Sequence, residues 1–70
     1  MAINFGARLK QARKAKGLTT KELGKQCYVS DTSIKRYEMN MRQPSFSVIE
    51  DLAAALGVLP KYFFEEENHV

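Results

Sequence analysis

Residues 19–38 decide the reading: Thr19-Thr20-Lys21-Glu22-Leu23-Gly24-Lys25-Gln26-Cys27-Tyr28-Val29-Ser30-Asp31-Thr32-Ser33-Ile34-Lys35-Arg36-Tyr37-Glu38. The stretch opens on a capping box, with Thr19 at the N-cap and Glu22, three residues on, reaching back to the Thr19 amide. Leu18 and Leu23 stand where a hydrophobic staple places them. This helix runs to about Cys27, because Val29-Ser30 restarts the pattern. Ser30 caps a second helix, with Val29 set to staple against Ile34. That helix continues through Tyr37 to Glu38 or Met39, and Asn40, which tolerates a positive φ, is its natural stop. Ile34 and Tyr37 face inward at i and i+3, leaving Asp31, Thr32, Lys35 and Arg36 on the opposite face. Gly24 sits mid-helix at a cost of about 1 kcal/mol relative to alanine. A small residue there lets the following helix cross closely.

The same punctuation extends outward. Upstream, a helix runs from the N-cap Asn4 to Lys16, with Phe5, Leu9 and Ala12 on one apolar stripe and Gly17 as its left-handed end. Downstream, Ser45 caps a further helix, with Pro44 packing toward Ile49. Ser47 with Glu50 offers a rival start two residues later. Ile49, Leu52, Ala53 and Leu56 line its buried face, and Gly57 closes it. Pro60 suits the first turn of a short fifth helix carrying Tyr62, Phe63 and Phe64. Three adjacent aromatics cannot all face inward on one short helix, so they are read mostly as core cover, with a dimer contact as the other use. No stretch alternates like a strand. The expected fold is all-α, a compact five-helix bundle. Residues 1–64 form its domain and 65–70 an acidic C-terminal tail.

Composition narrows the function. Seventy residues support one core. No apolar run approaches the roughly 18 residues of a membrane span, and the first residues lack the apolar stretch of a secretory signal. Cys27 is the only cysteine, which excludes an internal disulfide, fits a reducing compartment and reads as a buried small hydrophobe. A cytoplasmic protein is expected, with no membrane partner. His69, the only histidine, stands in the tail and is given no role. No metal-ligand cluster, nucleophile–base pair or glycine-rich phosphate loop appears. An enzyme, a metal site, a cofactor and a small-molecule ligand are therefore not expected. Charge is segregated: residues 1–42 hold ten basic against three acidic residues, whereas residues 43–70 hold one against five. That asymmetry points to a polyanion facing the first two-thirds of the chain. Arg8, Lys10 and Lys14 are read as solvated. Met39 and Met41 serve either packing or a partner surface.

Two helices joined by about three residues, the second rich in short polar side chains, form a helix-turn-helix arrangement, although a plain αα-hairpin shares the hydrophobic spacing. The residues carrying a more specific signal are Arg8-Leu9, Arg13, Lys16-Gly17-Leu18-Thr19, Glu22-Leu23-Gly24, Val29-Ser30, Ser33-Ile34, Tyr37-Glu38, Pro44-Ser45, Leu52-Ala53 and Leu56-Gly57-Val58. At these spacings the chain resembles the Cro/repressor-type helix-turn-helix family, also called the xenobiotic-response-element family, from about Phe5 to Phe64. The resemblance implies a lambda-repressor-like five-helix bundle that binds double-stranded DNA, usually as a homodimer on a palindromic operator, with the start of the third helix reading bases. Position by position it implies Asp31, Thr32 and Arg36 as base readers. Arg36 would pair with guanine, Thr32 would touch a thymine methyl or a base edge, and Asp31 would accept from a cytosine amino group or repel an acceptor. It assigns the DNA backbone to Thr20, Ser30, Ser33, Lys35 and Arg42. Arg13 and Glu38 match a pair forming an internal salt bridge in the family. Each also stands near the apolar side of its helix, where a lone charge is poorly solvated.

Three positions depart from the family pattern. Thr20 replaces a common glutamine and is shorter. Tyr28 replaces a frequent glycine; a positive φ there strains a bulky residue by about 1–2 kcal/mol, and otherwise the turn differs locally. Met41 lacks the charge expected near phosphate. The function implied is that of a bacterial or phage transcriptional regulator, expected to be a repressor and to associate with the nucleoid when bound. Phage repressor, restriction–modification controller and antitoxin all remain open. The alternative is a protein-interaction module, or antitoxin-like partner, that keeps the scaffold with weak or no DNA binding. Thr20, Asp31 and Met41 favour that alternative, and the ten basic residues before position 43 oppose it.

Overall fold

The computed structural model describes residues 4–65. Four α-helices follow one another, α1 (Phe5–Ala15), α2 (Thr20–Cys27), α3 (Asp31–Glu38) and α4 (Phe46–Leu56), and a 3-10 helix closes the fold at Pro60–Phe64. Each α-helix starts on a side-chain cap. Asn4 accepts from the Ala7 amide, Thr19 from Glu22, Ser30 from Ser33 and Ser45 from Val48. The capping box is complete at Thr19, whose amide donates to Glu22 Oε1 at 2.9 Å. Each α-helix also ends on one left-handed residue: Gly17, Tyr28, Asn40 and Gly57. The next amide then reaches back over the last turn, as Leu18 does to Arg13 O, Val29 to Gly24 O, Met41 to Arg36 O and Val58 to Ala53 O. These are the long bonds of Schellman ends, and they satisfy carbonyls that the helix itself leaves open.

The core takes one fully buried side chain from every element: Leu9, Leu23, Ile34, Leu52 and Phe63. Phe5, Ala12, Cys27, Tyr37, Ile49, Ala53 and Leu56 complete it. Each large apolar side chain so enclosed contributes about 1.5–3 kcal/mol against conformational entropy. Burial pushes the Cys27 thiol above its ordinary pKa, with Asp51 adding to the effect. It is a free, buried cysteine.

One expectation is corrected, and one alternative is decided in favour of Ser45. The fifth helix is a five-residue 3-10 helix and not an α-helix, so the described residues hold four α-helices. The closing bond runs from Tyr62 N to Leu59 O, three residues back. The rival start at Ser47 is not used, because Ser45 is extended and its carbonyl takes the Ile49 amide at 2.9 Å. Of the three aromatics, Phe63 is buried, Tyr62 half-buried and Phe64 exposed. Phe5 packs between the two phenylalanines, at ring separations of 5.1 and 5.7 Å. Glu65, assigned to the tail, is held by Arg8, and residues 66–70, including His69, lie outside the described residues. Among the described residues, no helix is long and apolar enough to cross a membrane.

Candidate nucleic-acid interface

The turn between α2 and α3 is set by Gly24 and Tyr28. A Cβ at Gly24 would overlap the Val29 carbonyl oxygen and stand 3.5 Å from Ile34 Cγ1. The space left by the missing side chain is thus taken first by the turn backbone and only then by α3. Tyr28 holds φ 58°, and its side chain is 96% exposed. Of the two alternatives open for this turn, the backbone takes the positive φ, carried by a residue with a full side chain.

Ile34 and Tyr37 pin α3 to the core, which turns Thr32, Lys35 and Arg36 to solvent with Asp31 and Ser33 at the margin. Ser30 and Ser33 engage each other: Ser30 Oγ accepts from the Ser33 amide at 3.1 Å and donates to Ser33 Oγ at 2.9 Å. Thr20, at the first position of α2, donates its hydroxyl to Asp31 Oδ1 at 2.5 Å. Lys35 Nζ lies 3.6 Å from Asp31 Oδ2. The Thr20 hydrogen bond outweighs desolvation and, with help from Lys35 and Lys21, holds the Asp31 carboxyl below the usual aspartate range. Arg42 is exposed on the segment joining α3 to α4. Thr20 and Asp31, drawn from different groups of the sequence reading, are therefore one unit, and Lys35 belongs to it.

Behind this face, Arg13 and Glu38 form a two-pronged ion pair, Nε to Oε2 at 2.6 Å and Nη2 to Oε1 at 3.2 Å. Arg13 Nη1 also donates to Leu18 O at 2.8 Å. The two side chains are only 11% and 8% exposed, so the pair joins α1, the loop before α2 and α3 in a poorly solvated place.

Three supports escaped the sequence reading. Gly6 lies under α3, and a Cβ there would overlap the carbonyl oxygens of Glu38 and Tyr37. Asn40 Oδ1 accepts from Gly6 N at 2.9 Å while its Nδ2 donates to Asn4 Oδ1 at 2.8 Å, tying the end of α3 to the start of α1. Arg8, expected in solvent, is instead mostly covered. It stacks on the Tyr62 ring at 3.9 Å, donates to Tyr62 O and pairs with Glu65, each at 2.9 Å. The only signal for this cluster in sequence was the meeting of a basic first helix with an acidic C-terminal segment. Among the described residues, no three His, Cys, Asp or Glu side chains converge as metal ligands.

A family profile described as helix-turn-helix matches residues 9–63, most of the chain. The chain belongs to the helix-turn-helix family. No curated protein matches it in sequence, but solved structures do. The restriction-modification controller protein C.AhdI from Aeromonas hydrophila is 32% identical, with a TM-score of 0.84 over 89% of this chain and 94% of that one. The P22 c2 repressor, solved with a synthetic operator, is 28% identical, with a TM-score of 0.83 over 87% and 92% of the two chains. SinR, a master regulator for biofilm formation solved in complex with DNA, is 32% identical, with a TM-score of 0.80 over 84% and 95%. This helix-turn-helix chain thus shares nearly its whole length with regulators, and the family is one of binding proteins and not of enzymes.

Proposed function

We propose that the protein is a transcriptional regulator, acting as a repressor, that binds double-stranded DNA as a homodimer on a palindromic operator with α3 in the major groove. One observation carries this reading: α3 is fixed to the core by Ile34 and Tyr37 and capped by Ser30, so its exposed face presents Asp31, Thr32, Lys35 and Arg36 as a rigid set. A short helix presented end-on in this way is how helix-turn-helix proteins read base edges. Arg36 suits a two-pronged contact to guanine O6 and N7, and Thr32 a thymine methyl or base edge. Ser33, whose hydroxyl hydrogen is not used by Ser30, and the exposed Arg42 suit contacts to phosphates on either side. Such a regulator works where the chromosome is, in the cytoplasm of a bacterial host.

The test is selection of bound sequences from a random duplex library, followed by binding of Arg36→Ala to the selected site. The expected result is a palindrome with half-sites about one helical turn apart. Arg36→Ala should lose discrimination at one base pair per half-site, by about 1–3 kcal/mol. Affinity should fall with a slope of about 0.9 in log–log salt plots for each phosphate neutralised. Failure to enrich any sequence at low salt would overturn the reading in favour of a protein-interaction module. The exposed Met39, Met41 and Phe46 side chains would then be the first surface to examine.

A further inference from the structure

We infer that Asp31 and Lys35 act together as the reader of a single C·G base pair, and that Thr20 is the residue positioning them. The inference rests on the DNA-binding reading above and adds to it which base pair is chosen and by what. Asp31 is the first residue of α3, and its carboxylate is fixed from two sides. Thr20 Oγ1, reaching over from α2, donates to Oδ1 at 2.5 Å. Lys35, one turn further along α3, faces Oδ2 at 3.6 Å. The Asp31 side chain keeps 40% of its surface and that of Lys35 keeps 61%, so a carboxylate oxygen and an ammonium group stand side by side and open to solvent.

An ionised carboxylate only accepts hydrogen bonds and an ammonium only donates them. A base pair served by both must present a donor beside acceptors. On the C·G edge the cytosine N4 donor stands at one end and the guanine O6 and N7 acceptors follow it. A carboxylate over N4 then has its neighbouring ammonium over O6 and N7. On the A·T edge the adenine N6 donor lies between two acceptors, N7 and O4, and a carboxylate there meets an oxygen or nitrogen lone pair on either side. On a G·C pair in the reverse sense the carboxylate faces the guanine acceptors. The Asp31–Lys35 pair therefore fits the C·G edge best, where the donor has an acceptor on one side only and the ammonium covers that side.

Thr20 makes this fit possible. Without its hydrogen bond the carboxylate turns freely and can be drawn wholly onto Lys35. With it, Oδ1 is occupied and Oδ2 is the oxygen left for the base. The same bond consumes the Thr20 hydroxyl hydrogen, leaving acceptor lone pairs that a phosphate oxygen repels. Thr20 thus serves base reading through Asp31 rather than meeting the DNA backbone with its side chain.

The experiment repeats the random-duplex selection with the full chain and with Thr20→Val, Thr20→Ser, Asp31→Asn and Lys35→Met, and checks each variant's unfolding midpoint. The unmodified chain is expected to select C·G at one position of each half-site. Asp31→Asn should move that position to A·T, since an amide pairs with adenine N6 and N7. Thr20→Val and Lys35→Met should lower the preference there by about fivefold or more, with the other positions unchanged. Thr20→Ser, which keeps the hydroxyl, should behave as the parent. A purely structural role for Thr20 predicts equal weakening on every sequence, and that result overturns the inference. So does an unchanged preference in Asp31→Asn. If the parent enriches an operator whose bases ignore position 31, the inference alone falls. If the parent enriches nothing, the DNA-binding reading falls with it.

Discussion

Replacing Tyr28 by glycine should stabilise the protein, although it removes the largest side chain of the turn. Tyr28 sits at φ 58°, a conformation that costs a residue with a Cβ about 1–2 kcal/mol. Its side chain is 96% exposed, so almost no apolar burial is lost with it. Glycine relieves the backbone strain but adds freedom to the unfolded chain, which costs about 0.5–1 kcal/mol. With each of these at its mid-range value the net gain is about 0.5–1 kcal/mol, and for a domain of this size each kcal/mol moves Tm by about 4–8 °C. Tyr28→Gly should therefore melt about 2–8 °C above the parent by circular dichroism. Tyr28→Ala, which keeps the Cβ and the strain, should melt close to the parent. A glycine variant no more stable than the alanine variant would refute the reasoning, because the two differ only in the Cβ and the strain would then be absent.

Other outcomes follow from the supports of α3. Glu38→Ala leaves Arg13 charged in a poorly solvated place and should cost about 3–5 kcal/mol; an unchanged urea midpoint would show that the ion pair contributes nothing net. Gly6→Ala forces α1 away from the Glu38 and Tyr37 carbonyls and should cost about 1–3 kcal/mol, read as a lower Tm, whereas an unaltered Tm would mean that α1 slides without penalty. The Thr20–Asp31 bond holds the folded-state pKa of Asp31 below its unfolded value near about 3.9. Its contribution to stability is present above that pH and is lost as pH falls through the folded value. The urea midpoints of the parent and Thr20→Val should differ at neutral pH and converge in strong acid; a gap that persists in acid would assign the difference to packing of the methyl that valine puts in place of the hydroxyl.

What the sequence disclosed and what it withheld divide along the reach of the interactions. Asn4, Thr19, Ser30 and Ser45 were legible as caps because a cap bonds an amide two or three residues away, inside any reading window. Asn40 was legible as a stop for the same reason, yet its bonds to Gly6 and Asn4, 34 and 36 residues distant, were not. Gly6 carried no local signal, since only the backbone of α3 forbids a side chain there. Arg8 reads as solvated from its neighbours in sequence, because its partners, Tyr62 and Glu65, stand 54 and 57 residues on. At the interface, Thr20 and Asp31 were each singled out but given separate tasks. Nothing in the local pattern says that the first residues of two successive helices touch, which depends on how the turn at Tyr28 folds α3 across α2. The 3-10 form of the last helix was similarly hidden, because Pro60 starts either kind of helix and only the closing bond tells them apart.

The four left-handed stops have a bearing on time as well as on shape. Each is decided within about six residues, so every α-helix can end in the right place before any two of them have met, at the sub-microsecond to microsecond pace of local events. The clamp of Arg8 on Tyr62 and Glu65 is of the opposite kind, since it must close a loop of more than fifty residues. The 3-10 helix is therefore expected to be the last piece to arrive and the first to leave. Its amides should exchange with solvent through openings that leave α2 and α3 folded. A protein built this way can loosen its far end and still keep its reading head assembled.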